Sequence, residues 1–222
     1  MLQNIPTHLI AGPLGAGKTS LIHNLMAQRP PTERWAILIN EFGQIGLDAA
    51  LLNTSMQEGI SFSEVAGGCL CCVNGAPFQV GLGRLLRKAR PDRLFIEPSG
   101  LGHPAQLLER LSSPPWEGVL SVQPMVMVLD AAELAAGRLL PEPQALAIVH
   151  ARLLLLNKSE NLNEEARAKL SQQLPACTML WTTGGQLPLG NLPGYQMGRS
   201  VDKSAVDKLS VCLLYTSPSP RD

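Results

Sequence analysis

Aromatic side chains are scarce: four Phe, three Trp and two Tyr make up 4% of the 222 residues. So few rings argue against a surface that works by stacking bases or sugars. Neither sign of charge is in excess, with 18 Lys plus Arg balanced by 18 Asp plus Glu. A binder of nucleic acid or of an anionic membrane needs a basic surplus, so neither partner is expected. No apolar run approaches the ~20 residues that span a bilayer. The N-terminus also lacks the basic start and long apolar stretch of a signal peptide, and the expected location is cytoplasmic. What the chain does have is apolar residues, 45% against 16% charged, enough to bury a substantial core in one large domain.

The cysteines do not have the spacing of a disulfide framework. Three of the five, Cys69, Cys71 and Cys72, fall within four residues, a clustering that in a reducing compartment points to metal or redox chemistry. Cys177 opens an expected strand and reads as a core thiol. The fifth, Cys212, begins the terminal run CLLYTSPSPRD. That run resembles a sequencing-library transposase adapter translated as if it were coding sequence. Residues 212–222 are therefore set aside, and on that reading the natural sequence continues past about Val211. The expected organisation is a nucleotide-binding domain over 1–190, a linker over 191–211 and the adapter-derived tail.

Short apolar runs alternate with helical stretches. Strands are expected at 8–11, 35–40, 93–97, 125–129, 152–156 and 177–181. Helices are expected at 18–27, 78–88, 104–111, 143–150 and 163–173. Runs such as AILI, VMVL and LLLL are apolar at every position, the pattern of parallel strands covered on both faces. The expected fold is α/β, a mostly parallel, doubly wound sheet flanked by helices. The Gly/Pro-rich stretch 184–198 reads as a loop leading out of the domain.

The segment GPLGAGKTS begins at Gly12 and matches the P-loop pattern: a glycine, four residues, then Gly17, Lys18 and Thr19. Gly12, Gly15, Ala16 and Gly17 let the backbone curl so that N–H groups converge on phosphate oxygens at a helix N-terminus. Lys18 then reaches the outer phosphates, the Thr19 hydroxyl is a Mg²⁺ ligand, and Ser20 lies beside them. An apolar strand before and a helical pattern after give the motif its required context. At the end of the expected strand 152–156 stands Asn157-Lys158-Ser159-Glu160. A carboxylate such as Glu160 can accept both N1–H and the 2-amino group of guanine, whereas adenine would leave it desolvated and poorly paired. Asn157 would contact the other edge of the base, with the Lys158 stem along it.

Two further strands end in acids, Glu97 and Asp130. Glu97 suits Mg²⁺ or the orientation of water, and the small Gly100 after it would allow a close backbone approach to the terminal phosphate. Asp130 suits the same role or a helix N-cap. The glycine-punctuated segment 40–48, with Glu41 and Asp48, suits a switch that rearranges around that phosphate, although Asp48 could equally cap a helix. Thiolates at Cys69, Cys71 and Cys72 are soft ligands selecting Zn²⁺ or Cu⁺ over Mg²⁺. With at most three local sulfurs the site is open, which suits a metal that must be given away.

Taken together, GPLGAGKTS, NEFGQIGLD, GGCLCCVNGAPFQVGL, PDRLFIEPSGLGHP and NKSE resemble the CobW-type metallochaperone GTPases, in particular their YeiR-type zinc-associated branch. The resemblance implies a GTPase with Lys18, Glu97 and Glu41 at the reacting end and Asp48 near Mg²⁺. It further implies Zn²⁺ on Cys69, Cys71 and Cys72, and GTP-dependent transfer of that metal to a client protein. Glu160 departs from the family's usual Asp. The family's C-terminal domain and histidine-rich segment are absent from this sequence. Two rival readings remain: an ATP-dependent small-molecule kinase, and a metal sensor or buffer without catalysis.

Overall fold

The computed structural model describes residues 2–39, 59–64 and 76–196. Its strands are β1 (Ile5–Ala11), β2 (Trp35–Ile39), β3 (Ile60–Glu64), β4 (Arg93–Glu97), β5 (Leu120–Val122), β6 (Met125–Asp130), β7 (Ala151–Asn157) and β8 (Thr178–Trp181). The helices are α1 (Lys18–Ala27), α2 (Ala76–Ala89), α3 (Pro104–Leu111), α4 (Ala131–Ala135), α5 (Glu142–Ala147) and α6 (Glu164–Gln173). The strands form one sheet in the order β3-β2-β4-β1-β6-β7-β8, with β5 also pairing β1, and every pairing is parallel.

The continuous apolar runs follow from this architecture. Side chains alternate across a strand, so neighbours on β6 and β7 enter different cores. Met125, Met127, Leu129, Leu154 and Leu156 join one face with Phe78, Leu82 and Leu86 of α2 and Leu107 and Leu111 of α3. Val126, Val128, Leu153 and Leu155 join the other with Leu21, Ile22, Leu25 and Met26 of α1. Burial of one such side chain contributes about 1.5–3 kcal/mol, so both faces hold the sheet in place. The doubly wound parallel fold expected from the sequence is the fold observed.

Two strands escape the sequence reading for identifiable reasons. ISFSE of β3 is an edge strand in which Ile60 is buried and residues 61–63 are half-buried, so it shows no apolar run. The three residues of β5 are too few to show a period. The expected helix 143–150 is a shorter α5 followed by a 3₁₀ turn over Ile148–His150. The stretch after β8 is loop-like as expected, yet Leu187, Leu189, Leu192 and Tyr195 pack into the α1 face of the sheet. Among the described residues no helix is long and apolar enough to cross a membrane.

Parallel strands share a direction, so the C-terminal residues of β1, β4, β6 and β7 lie along one edge of the sheet. Chain order reverses at β1, which has β4 on one side and β6 on the other. Such a switch point opens a crevice at the carboxyl ends of the strands, where α/β sheets bind ligands.

Candidate nucleotide-binding site

Between Ala11 of β1 and Lys18 of α1 the chain turns through three glycines at positive φ: Gly12 at 142°, Gly15 at 75° and Gly17 at 102°. Close approach as well as φ demands two of them. A Cβ on Gly12 would lie 2.1 Å from Val128 O, and one on Gly17 would lie 2.2 Å from Asn157 Nδ2. Lys18 is buried at 4% exposure, and its Nζ donates to Pro13 O across the loop at 3.0 Å. Ala16 is buried, and Ser20 is exposed on α1.

Thr19 Oγ1 donates to Glu97 Oε1 at 2.9 Å, and Glu97 is 1% exposed. Pairing of β1 with β4 brings together two residues that are 78 positions apart in sequence. A hydroxyl and a carboxylate at a helix N-terminus are hard oxygen donors, the set that suits Mg²⁺ and not a soft metal. Beyond Glu97 the backbone passes so close to the P-loop that a Cβ on Gly100 would lie 2.4 Å from Leu14 N.

The end of β7 is tied to the same loop. Asn157 is 2% exposed; its Nδ2 donates to Ala16 O at 2.9 Å and its Oδ1 accepts from Gly185 N–H at 3.0 Å. Both ends of that amide are thus engaged within the protein, which makes Asn157 a brace between the P-loop and the segment after β8. Lys158, at φ 58°, donates from Nζ to Asp130 Oδ2 at 2.6 Å. Asp130 Oδ1 meanwhile accepts from Glu133 N–H at 3.0 Å and caps α4, bearing out the capping alternative for that residue. Glu160 is exposed, and its Oε2 accepts from Thr183 Oγ1 at 2.9 Å. Thr183 and Gly185 were missed in sequence; the Gly184-Gly185 doublet after a strand end was the available signal.

Glu41, Asp48, Cys69, Cys71 and Cys72 lie outside the described residues. Cys177 is half-buried just before β8, and burial pushes its thiol pKa up, away from thiolate chemistry. Among the described residues no cluster of three or more His, Cys, Asp or Glu could hold a metal ion.

Residues 6–179 match the CobW/HypB/UreG nucleotide-binding domain. The chain belongs to that family. Within it the chain is YeiR-like: it is 42% identical over 173 residues to the zinc chaperone YeiR of Escherichia coli, covering 75% of this chain and 50% of that protein. It is 29% identical over 228 residues to the zinc chaperone CobW of Pseudomonas aeruginosa, covering 87% of this chain and 60% of the relative. The chain thus spans about half the length of the curated relatives it matches. Among solved structures, the Zn(II)-bound YjiA GTPase of E. coli superposes with a TM-score of 0.61 at 20% identity, over 85% of this chain and 61% of that one. HypB of Helicobacter pylori in complex with nickel gives 0.54 at 16% identity, over 82% and 80%. At these identities the structural likeness establishes the P-loop GTPase fold alone.

Proposed function

We propose that this chain is the nucleotide-binding part of a GTP-hydrolysing metallochaperone. In this reading it binds GTP at the P-loop and Zn²⁺, or a similar transition metal, at Cys69, Cys71 and Cys72, then hands the metal to a client metalloprotein. The observation that carries the reading is the Thr19–Glu97 pair, a hard-donor couple set at the mouth of a complete P-loop. The names of the zinc-chaperone relatives support the metal half.

When bound, Mg²⁺ neutralises charge on the phosphate oxygens. Thr19 Oγ1 and the Glu97 carboxylate are the groups that would hold it. Backbone N–H groups of residues 12–17 and the α1 N-terminus cradle the phosphates, and Lys18 exchanges Pro13 O for phosphate oxygen. Gly100 keeps the loop after Glu97 close to the terminal phosphate, while Glu41 and Asp48 belong to the segment that responds to it. Water adds to the γ-phosphorus, the bond to the β–γ bridging oxygen breaks, and GDP and phosphate leave. At the base, Glu160 accepts the two guanine donors with the Thr183 hydroxyl steadying its longer side chain, and Asn157 holds the base loop to the P-loop.

Zinc is the cargo. Three thiolates leave a tetrahedral ion one position short, so a partner's ligand can enter before any sulfur leaves. The test is a competition titration of Zn²⁺ with GTP–Mg²⁺, with ATP–Mg²⁺ and without nucleotide. A zinc affinity that changes with GTP alone is expected of a nucleotide-gated carrier. Equal affinity in all three would leave a metal buffer as the better description.

A further inference from the structure

Gln144 lies on α5, outside every motif described above, and is fully buried. Its Nε2 donates to two carbonyls of the loop after Glu97, Gly100 O at 3.1 Å and Gly102 O at 3.3 Å. Two acceptors fix the amide orientation, because a side-chain oxygen turned toward them would meet like charge. Oε1 is then left without a hydrogen-bond partner among the described residues. An unpaired buried acceptor is costly, and an apolar side chain of the same length would avoid that cost. What Gln144 adds over such a residue is its pair of donated bonds.

The loop it grips is otherwise closed on itself. Gly102 N–H donates to Ser99 O at 2.8 Å, and Leu101 N–H to Ser99 Oγ at 3.3 Å. Its opposite side lies on the P-loop, where Gly100 leaves no room for a Cβ against Leu14. The turn over 99–102 is therefore held between α5 and the P-loop, directly after the carboxylate that accepts from Thr19.

We propose that Gln144 is a positioning residue for GTP hydrolysis: its two bonds to Gly100 O and Gly102 O hold the 99–102 turn in register with the P-loop. This role rests on the GTPase reading above. Gln144 touches no substrate; it acts through the backbone it fixes. Small misplacement of a group set by remote contacts is enough to slow a reaction strongly. Binding of the nucleotide, carried by the P-loop glycines, Lys18 and the base loop, does not depend on this clamp.

The experiment compares three full chains: the parent, Gln144→Met, which keeps the volume and removes both donors, and Ala147→Gly, which loosens the same helix without touching the amide. Single-turnover GTP hydrolysis and the dissociation constants of GTP and GDP are measured for each. Gln144→Met is expected to lose about tenfold or more in rate while both affinities stay within about twofold of the parent. Ala147→Gly is expected to hydrolyse like the parent. Parental turnover in Gln144→Met, or an equal loss in Ala147→Gly, overturns the proposal. Should Gln144→Met fail to fold, Gln144→Asn, too short to reach both carbonyls, is read by the same criteria. A parent that turns over no GTP overturns the GTPase reading itself and this role with it. Amide exchange over 100–103 then shows separately whether the clamp exists: only Gln144 variants should exchange faster.

Discussion

His8 sits in the middle of β1 at 1% exposure, stacked on Phe95 with ring centroids 5.1 Å apart. Arg93 Nη1 lies 2.9 Å from its Nε2, and Arg93 is itself held by Glu33 at 3.1 Å and covered by the Tyr195 ring at 4.6 Å. A guanidinium can only donate, so Nε2 accepts and the proton resides on Nδ1. Burial first, and the Arg93 charge second, push the His8 pKa down to about 3 from 6.5. The unfolded chain therefore takes up a proton near pH 6.5 that the folded chain refuses until about pH 3. Stability from this residue is full above pH 6.5 and declines as pH falls through that window, by about 1.4 kcal/mol between pH 7.5 and 5.5. His8→Gln retains an acceptor for Arg93 and cannot titrate. Denaturant midpoints taken across that range should show the variant losing less stability on acidification; identical slopes would mean that His8 is not held neutral. Nothing in the sequence marked His8, because neutrality here comes first from burial within the folded sheet and then from Arg93, 85 residues away and one strand over.

At the scale of elements, the P-loop and β7 meet at a single crowded point, where Gly17 faces the Asn157 amide. An alanine at Gly17 suffers twice, from φ at 102° and from a Cβ 2.2 Å from Asn157 Nδ2. Asn157→Ala removes the obstacle and also strands Ala16 O and Gly185 N–H, at about 1–3 kcal/mol for each buried group left unpaired. The two changes share one contact, so their costs should not add. Gly17→Ala with Asn157→Ala is expected to be less destabilised than the sum of the single variants by about 0.5–3 kcal/mol. Equilibrium unfolding of the four proteins measures this, and strict additivity would show that the loop relaxes around the new methyl without meeting β7. The elements themselves were largely legible: α1, β4, β6 and β7 declare themselves through apolar runs and the P-loop. What could not be read was which polar groups the sheet brings together. Asn157 is expected at the base by its place in NKSE, whereas its bonds to Ala16 O and Gly185 N–H, partners in distant loops, carry no sequence signal. Gln144 carried no sequence signal at all, since one glutamine in the short helix EPQALA says nothing about the carbonyls it meets.

For the whole molecule, the proposed nucleotide groups lie on the sheet whose edge strand, β3, precedes the proposed metal ligands in sequence. The same sheet that ends in Glu97 and Asn157 carries β3 at its edge, and the chain between β3 and α2 contains Cys69, Cys71 and Cys72. Any coupling of GTP to zinc must run both ways: a factor by which GTP–Mg²⁺ alters zinc affinity is the factor by which zinc alters GTP affinity. Measured on the full chain, the two factors should agree within error and lie in the range of about 5–150-fold common for linked sites. Cys71→Ser, which replaces a soft thiolate with a poor ligand for zinc, should abolish both effects and leave GTP affinity without zinc unchanged. It should also remove any zinc dependence of GTP turnover. Lowering the pH should weaken zinc binding in the parent, because each thiol must lose its proton to coordinate the ion. If Cys71→Ser weakens GTP binding when no zinc is present, the segment is structural for the nucleotide site. If zinc binding at the thiols is lost while GTP turnover keeps its response to zinc, turnover responds to an ion held elsewhere on the molecule, and the thiol site is not the one coupled to GTP.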